Sequence, residues 1–107
     1  MQRDRTENGS MKVAVCRLTL RIHDNRSLKG KRRVVRSLID RLRHRFDASV
    51  AEVGDQGHLK SALIGIALVS ERAGHASEMM DSVINYAESQ MFDADIIDIE
   101  RDVVALD

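Results

Sequence analysis

Apolar and polar residues alternate from Lys12 to Ile22, with Ala14, Cys16, Leu18, Leu20 and Ile22 on one side. Val13, Val15, Arg17, Thr19 and Arg21 occupy the other. A period of two predicts a half-buried strand. His23-Asp24-Asn25-Arg26 has turn chemistry, and Ser27 suits a helix N-cap. From Leu28 to Phe46 the period lengthens. At about 100° per residue, Leu28, Val35, Leu38, Ile39, Leu42 and Phe46 share one narrow stripe, which predicts a helix packed through a single face. Lys29, Arg32, Arg33, Arg36 and Arg43 fall on one flank of that stripe, interrupted by Asp40. Lys31, Arg41 and Arg45 fall on the other. Ala48 to Val53 predicts a short strand, and Gly54-Asp55-Gln56-Gly57 a loop. Ala62 to Val69 is apolar almost throughout and reads as a central strand, or one covered on both sides. Gly74 to Met91 predicts a second helix with Ala76, Met79, Met80, Val83, Ile84 and Ala87 inward, and Ile96 to Leu106 a last strand studded with acids.

The order β-α-β-β-α-β is that of the ferredoxin-like, split-βαβ arrangement. It predicts a four-stranded antiparallel sheet with its first and third strands central and two helices on one face. The 107 residues suit one domain, over residues 11–107, after an N-terminal tail over residues 1–10 that lacks periodicity and is expected to be disordered.

Charge changes the picture more than composition does. The formal net charge is zero, yet residues 11–46 hold twelve Lys/Arg against Asp24 and Asp40. Residues 47–107 hold Lys60, Arg72 and Arg101 against thirteen Asp/Glu. Such an asymmetry points to a polyanionic partner, because clustered cations release counterions from phosphate backbones. The alternative is that the halves neutralise each other across the fold or across a homodimer. A single cysteine forms no internal disulfide, and the start of the chain lacks the apolar run of a signal peptide, so the expected location is the cytoplasm.

Candidate chemistry is sparse. Cys16 sits on an apolar face where thiols are ordinarily inert. Glu52, Asp55 and His58 surround a glycine-containing loop that makes a poor metal cage. No nucleophile is paired with a base, and no phosphate-binding glycine motif of the nucleotide-binding enzymes is present. The reading is a non-enzyme with no cofactor and no metal. An RNA-recognition-motif domain has the same element order but stacks bases on aromatics of its central strands, and residues 12–22 and 62–69 contain none. A KH-type G-x-x-G clamp is likewise not expected. What remains is a basic helix suited to phosphate contacts without sequence reading.

The segments MKVAVCRLTLRI, RSLKGKRRVVRSLIDRLRHRF and SVAEV resemble the YlxP-like family of small bacterial proteins, a domain of unknown function. Ser27-Leu28-Lys29 followed by Lys31-Arg32 is the most specific part, and the resemblance runs from about Met11 to Val104. Gly57-His58-Leu59-Lys60 departs from the aromatic-containing loop of that family. The resemblance implies a ferredoxin-like fold. In some bacteria the type gene lies among translation and ribosome-assembly genes, a neighbourhood that implies a ribosome-linked role.

The combined expectation is an accessory factor that contacts RNA or the ribosome through its first helix, with no membrane involvement. Lys29, Lys31, Arg32, Arg33 and Arg36 are its phosphate contacts, and Arg26 stands at the approach. On the open sheet face, Arg17 and Arg21 are expected to form cross-strand ion pairs with acids such as Glu100 and Glu52. The alternative is a protein-interaction or homodimerisation module that pairs through the sheet.

Overall fold

The computed structural model describes residues 9–106. Of the tail expected over residues 1–10, residues 1–8 lie outside the described residues. Strand β1 (Met11–Ile22) leads into helix α1 (Leu28–Arg45), strands β2 (Ser49–Val53) and β3 (Ser61–Ser70), helix α2 (Ala73–Ser89) and strand β4 (Ala94–Leu106). The four strands form an antiparallel sheet in the order β2-β3-β1-β4, so β1 and β3 are central as the sequence predicts. This is the ferredoxin-like α+β fold. Element ends differ from the sequence reading by one or two residues, the usual range for frayed termini.

The alternation in β1 carries through the packing. Ala14, Cys16, Leu18, Leu20 and Ile22 are buried under the helices, while Arg17 and Arg21 are exposed on the opposite face. Ala62, Ile64, Ile66 and Leu68 of β3 extend the same core, met from above by Val35, Leu38, Ile39 and Leu42 of α1 and by Ala76, Met80, Val83, Ile84 and Ala87 of α2. The ends of the α1 stripe depart from expectation. Leu28 is exposed, and Phe46 is a half-buried cap that meets Tyr86 edge-on at 5.6 Å between ring centroids.

Strand β4 contains a device that periodicity did not reveal. Its pairing with β1 shifts between Thr19 and Leu20, where Asp98 stands opposite Thr19 but Ile96 opposite Leu20. Ile97 is the extra residue of a bulge, which lets Ile96 and Ile99 face the helix side although they are three apart. Asp98, Glu100 and Asp102 are thereby set on the open face, beside Thr19, Arg17 and Val15.

The entry to α1 is also closely built. Ser27 caps the helix by accepting from the Gly30 amide at 3.0 Å. Buried Asn25 donates through Nδ2 to the carbonyls of Ser27 (2.8 Å) and Leu59, tying the helix start to the β2–β3 loop. A Cβ at Gly30 would collide with Asn25 Oδ1. Helix propensity alone favours alanine over glycine by about 1 kcal/mol. The packing predicts the opposite sign: Gly30→Ala should lower stability by about 1–3 kcal/mol in denaturant unfolding, the range for displacing buried hydrogen bonds.

Candidate nucleic-acid interface

Twelve Lys and Arg residues lie between Met11 and Phe46, and the structure divides those of α1 into two groups. Toward its C-terminal end they are engaged. Arg41 donates to Gln90 Oε1 (3.2 Å), Arg43 donates to the Val50 carbonyl of β2, and the Arg45 guanidinium lies 4.5 Å from the Tyr86 ring centroid. At the approach and along the N-terminal half, Arg26, Lys29, Arg32, Arg33 and Arg36 are exposed, and none forms an ion pair with the described residues. Lys29, Arg32, Arg33 and Arg36 border one shallow surface depression together with Ser37 and Asp40. Arg32 and Arg36 also border a cleft between α1 and the edge of β2, closed on its far side by Ala51, Glu52 and Gln56. The first turn of α1 contains no acidic residue, so the positive end of the helix dipole adds to this cationic cluster. Unneutralised cations at that end are unfavourable to the isolated fold and favourable to an arriving anion.

Lys31 does not belong to this surface, which corrects its assignment as a phosphate contact. It is 1% exposed because it lies on the apolar stripe itself, one turn before Val35. Its ammonium donates to the Gln56 carbonyl (3.0 Å) and lies 3.0 Å from Glu52 Oε2. That oxygen is buried and accepts no hydrogen bond of good geometry, so charge holds the pair. Glu52 is corrected with it. Val50 of β2 points into the core, and a period of two turns Glu52 to the same helix-covered side, away from Arg17.

On the open face, Arg17 donates to Glu100 Oε1 from Nη2 (2.8 Å) and Nε (3.2 Å). Both side chains are about half exposed, so the pair contributes little to stability. Arg21 stands in register with Asp95 but forms no ion pair with the described residues; Asp95 is held instead by His23 at 2.9 Å. Val13, Val15, Val69 and Val104 share this face with the charged pair. None of the three aromatics lies in a strand.

The remaining candidate groups are dispersed. Asp55 and His58 approach to 3.4 Å on the surface, while Glu52 is turned to Lys31. Burial pushes the Cys16 thiol up from its ordinary value, with Arg101 opposing in part, which keeps it protonated. Gly54-Asp55-Gln56-Gly57 does have G-x-x-G spacing, contrary to expectation. Its polar groups are engaged within the protein: the Gly57 amide donates to Asp55 Oδ1 (2.9 Å), and the Gln56 carbonyl accepts from Lys31 of α1. Among the described residues no helix is long and apolar enough to cross a membrane.

The class defined by this geometry is a small ferredoxin-like domain with one exposed cationic helix. The chain belongs to the family described as "protein of unknown function (DUF503)", whose model matches residues 13–101. It is similar to the uncharacterized protein YlxP of Bacillus subtilis (strain 168), 31% identical over 68 residues that cover 64% of this chain and 74% of that one. Among solved structures, the de novo designed protein Foldit4 aligns with a TM-score of 0.49 at 7% identity, covering 87% of this chain and 96% of its own. The SecDF periplasmic domain P4 aligns with a TM-score of 0.34 at 13% identity, covering 95% and 98%.

Two measurements test this description. Lys31→Ala leaves Glu52 beside the core without its cation and should destabilise the domain by on the order of 3 kcal/mol, whereas Lys31→Met combined with Glu52→Leu should recover most of the loss. Denaturant midpoints of the three proteins check both. The hydrogen bond to Asp95 raises the pKa of exposed His23 above its ordinary 6.5. A raised histidine pKa means that the pair's contribution is full below 6.5 and is lost as pH rises through the folded-state value. An NMR titration should place the His23 midpoint above 6.5, and Asp95→Asn should bring it down.

Proposed function

We propose that this protein is a non-enzymatic, cytoplasmic accessory factor that binds RNA, in a ribosomal context, through the outer surface of α1. One observation carries the reading: Arg26, Lys29, Arg32, Arg33 and Arg36 stand exposed together with no acidic partner among the described residues, while the remaining arginines of α1 are engaged by the protein. A fold gains nothing from gathering cations at the positive end of a helix, so their use lies outside the fold. Guanidinium and ammonium groups on a helix contact phosphates without reading bases. The absence of aromatics from the strands fits the same mode, because base stacking on the sheet has no platform here. The resemblance to proteins whose gene lies beside translation genes supports the ribosomal setting.

A protein-interaction module is the second reading, favoured by the apolar residues Val13, Val15, Val69 and Val104 on the open sheet face. Salt separates the two. Five phosphate contacts give a slope of log affinity against log salt of about −3.5 for single-stranded RNA, whereas apolar sheet contacts change little. Lys29→Glu, Arg33→Glu and Arg36→Glu made together should abolish RNA association at low salt and leave the melting temperature near wild type, since all three side chains are exposed. Wild-type affinity in that variant overturns the assignment. Arg17→Ala should retain RNA binding and lower stability slightly, because its charge is already met by Glu100. Loss of RNA binding without loss of stability would move the interface to the open face.

A further inference from the structure

The two edges of the sheet are finished differently. The β2 edge is short and covered: Val50 and Glu52 give their carbonyls to the side chains of Arg43 and of Gln56 (3.3 Å), and α1 lies alongside. Side chains that occupy edge carbonyls prevent a further strand from pairing. The β4 edge is thirteen residues long, and among the described residues no strand pairs with its outer side. At one position, the Val103 amide donates to Asp102 Oδ1 at 2.7 Å, a local bond that the carbonyl of an incoming strand would replace.

The side chains along β4 define what such an edge would accept. Ile99 is 37% exposed and lies on the helix side, and the bulged Ile97 is 50% exposed. Asp98 and Asp102 lie on the open face with no cation paired to either among the described residues, while Glu100 is taken by Arg17. The one basic residue of the strand, Arg101, is drawn down onto α2 by Asp81 (2.6 Å) and the Ser77 carbonyl (3.0 Å), so its charge does not offset the two aspartates.

We propose that the β4 edge takes up an extended basic segment of another protein as a fifth strand, with Lys or Arg side chains against Asp98 and Asp102 and aliphatic ones against Ile99 and Val103. Main-chain hydrogen bonds supply the affinity of such strand addition, and alternate side chains its specificity. A second copy of this chain is the poorer occupant. Its β4 would set Asp98, Glu100 and Asp102 against the same acids in an antiparallel pair, which is destabilising. Its β2 edge is already covered by Arg43 and Gln56. The inference is independent of RNA binding, which uses the opposite side of the molecule.

The test uses the full chain and a short capped peptide alternating lysine and valine, followed by NMR shifts and amide exchange. Binding should perturb residues 96–106 and slow exchange along β4 while leaving β2 unchanged. Two further peptides carry N-methyl groups on every second amide, in opposite phases. Strand addition requires that one phase abolish binding and the other retain it. Asp98→Lys with Asp102→Lys should weaken the parent peptide about tenfold. Equal binding of both methylated peptides would show charge attraction without strand pairing and overturn the proposal. Shifts confined to α1 or the open face overturn it as well, as does concentration-dependent protection of β4 in the chain alone. The methylated peptides act on the wild-type chain, so the test stands even if the doubly substituted variant fails to fold.

Discussion

The buried ammonium of Lys31 sets the relation between α1 and the rest of the molecule. It lies on the stripe that faces the sheet, where the Glu52 carboxylate of β2 neutralises it, and it donates a hydrogen bond to the Gln56 carbonyl in the β2–β3 loop. Taking a charge out of water is unfavourable by several kcal/mol unless a partner is held at close range, so the helix, the strand and the loop are constrained together. Rotation of α1 about its axis would separate the pair. With that rotation fixed, Arg32, Arg33 and Arg36 point to solvent and Arg43 reaches β2. Asn25 fixes the same helix from its first turn by binding Leu59 in the same loop.

From that orientation follows a segregation of charge across the sheet. Helix α1 packs against the β2 side, while α2 lies over β1 and touches both β3 and β4. The cationic surface of α1 therefore lies toward one edge, and the carboxylates of β4, with Glu78, Asp81 and Glu88 of α2, toward the other. Zero net charge conceals this, since the opposite charges are distant in sequence and largely distant in space. The proposed RNA contact on α1 and the proposed strand addition at β4 would each use one of these faces.

Most of the architecture was legible because two periods carry it. The alternation in β1 and the stripe of Val35, Leu38, Ile39 and Leu42 assign the buried faces of a strand and a helix without tertiary information. The sequence pattern alone assigns Lys31 to the cationic surface because its residue type outweighs its position. The step from Val35 back by one helical turn places it in the stripe, and only a carboxylate distant in sequence makes that position tolerable. Glu52 shares the inner face with Val50 two residues earlier, a period-of-two signal that its charge masks. The bulge at Ile97 left a weak signal in adjacent apolar residues, Ile96 and Ile97, that break the alternation. Of the candidate phosphate contacts, sequence identified the exposed members but not which arginines of α1 the protein retains for itself. Those contacts depend on Gln90, Tyr86 and Val50, which no local pattern connects to α1.

The proposed contact places RNA on the outer surface of α1 and not on the open sheet. Ultraviolet crosslinking in living cells, followed by mass-spectrometric mapping of nucleotide-bearing peptides, tests it most directly. Adducts within residues 26–36, accompanied by ribosomal RNA, are the predicted result. Adducts confined to β1 or β4, or recovery of the protein free of RNA, would contradict it.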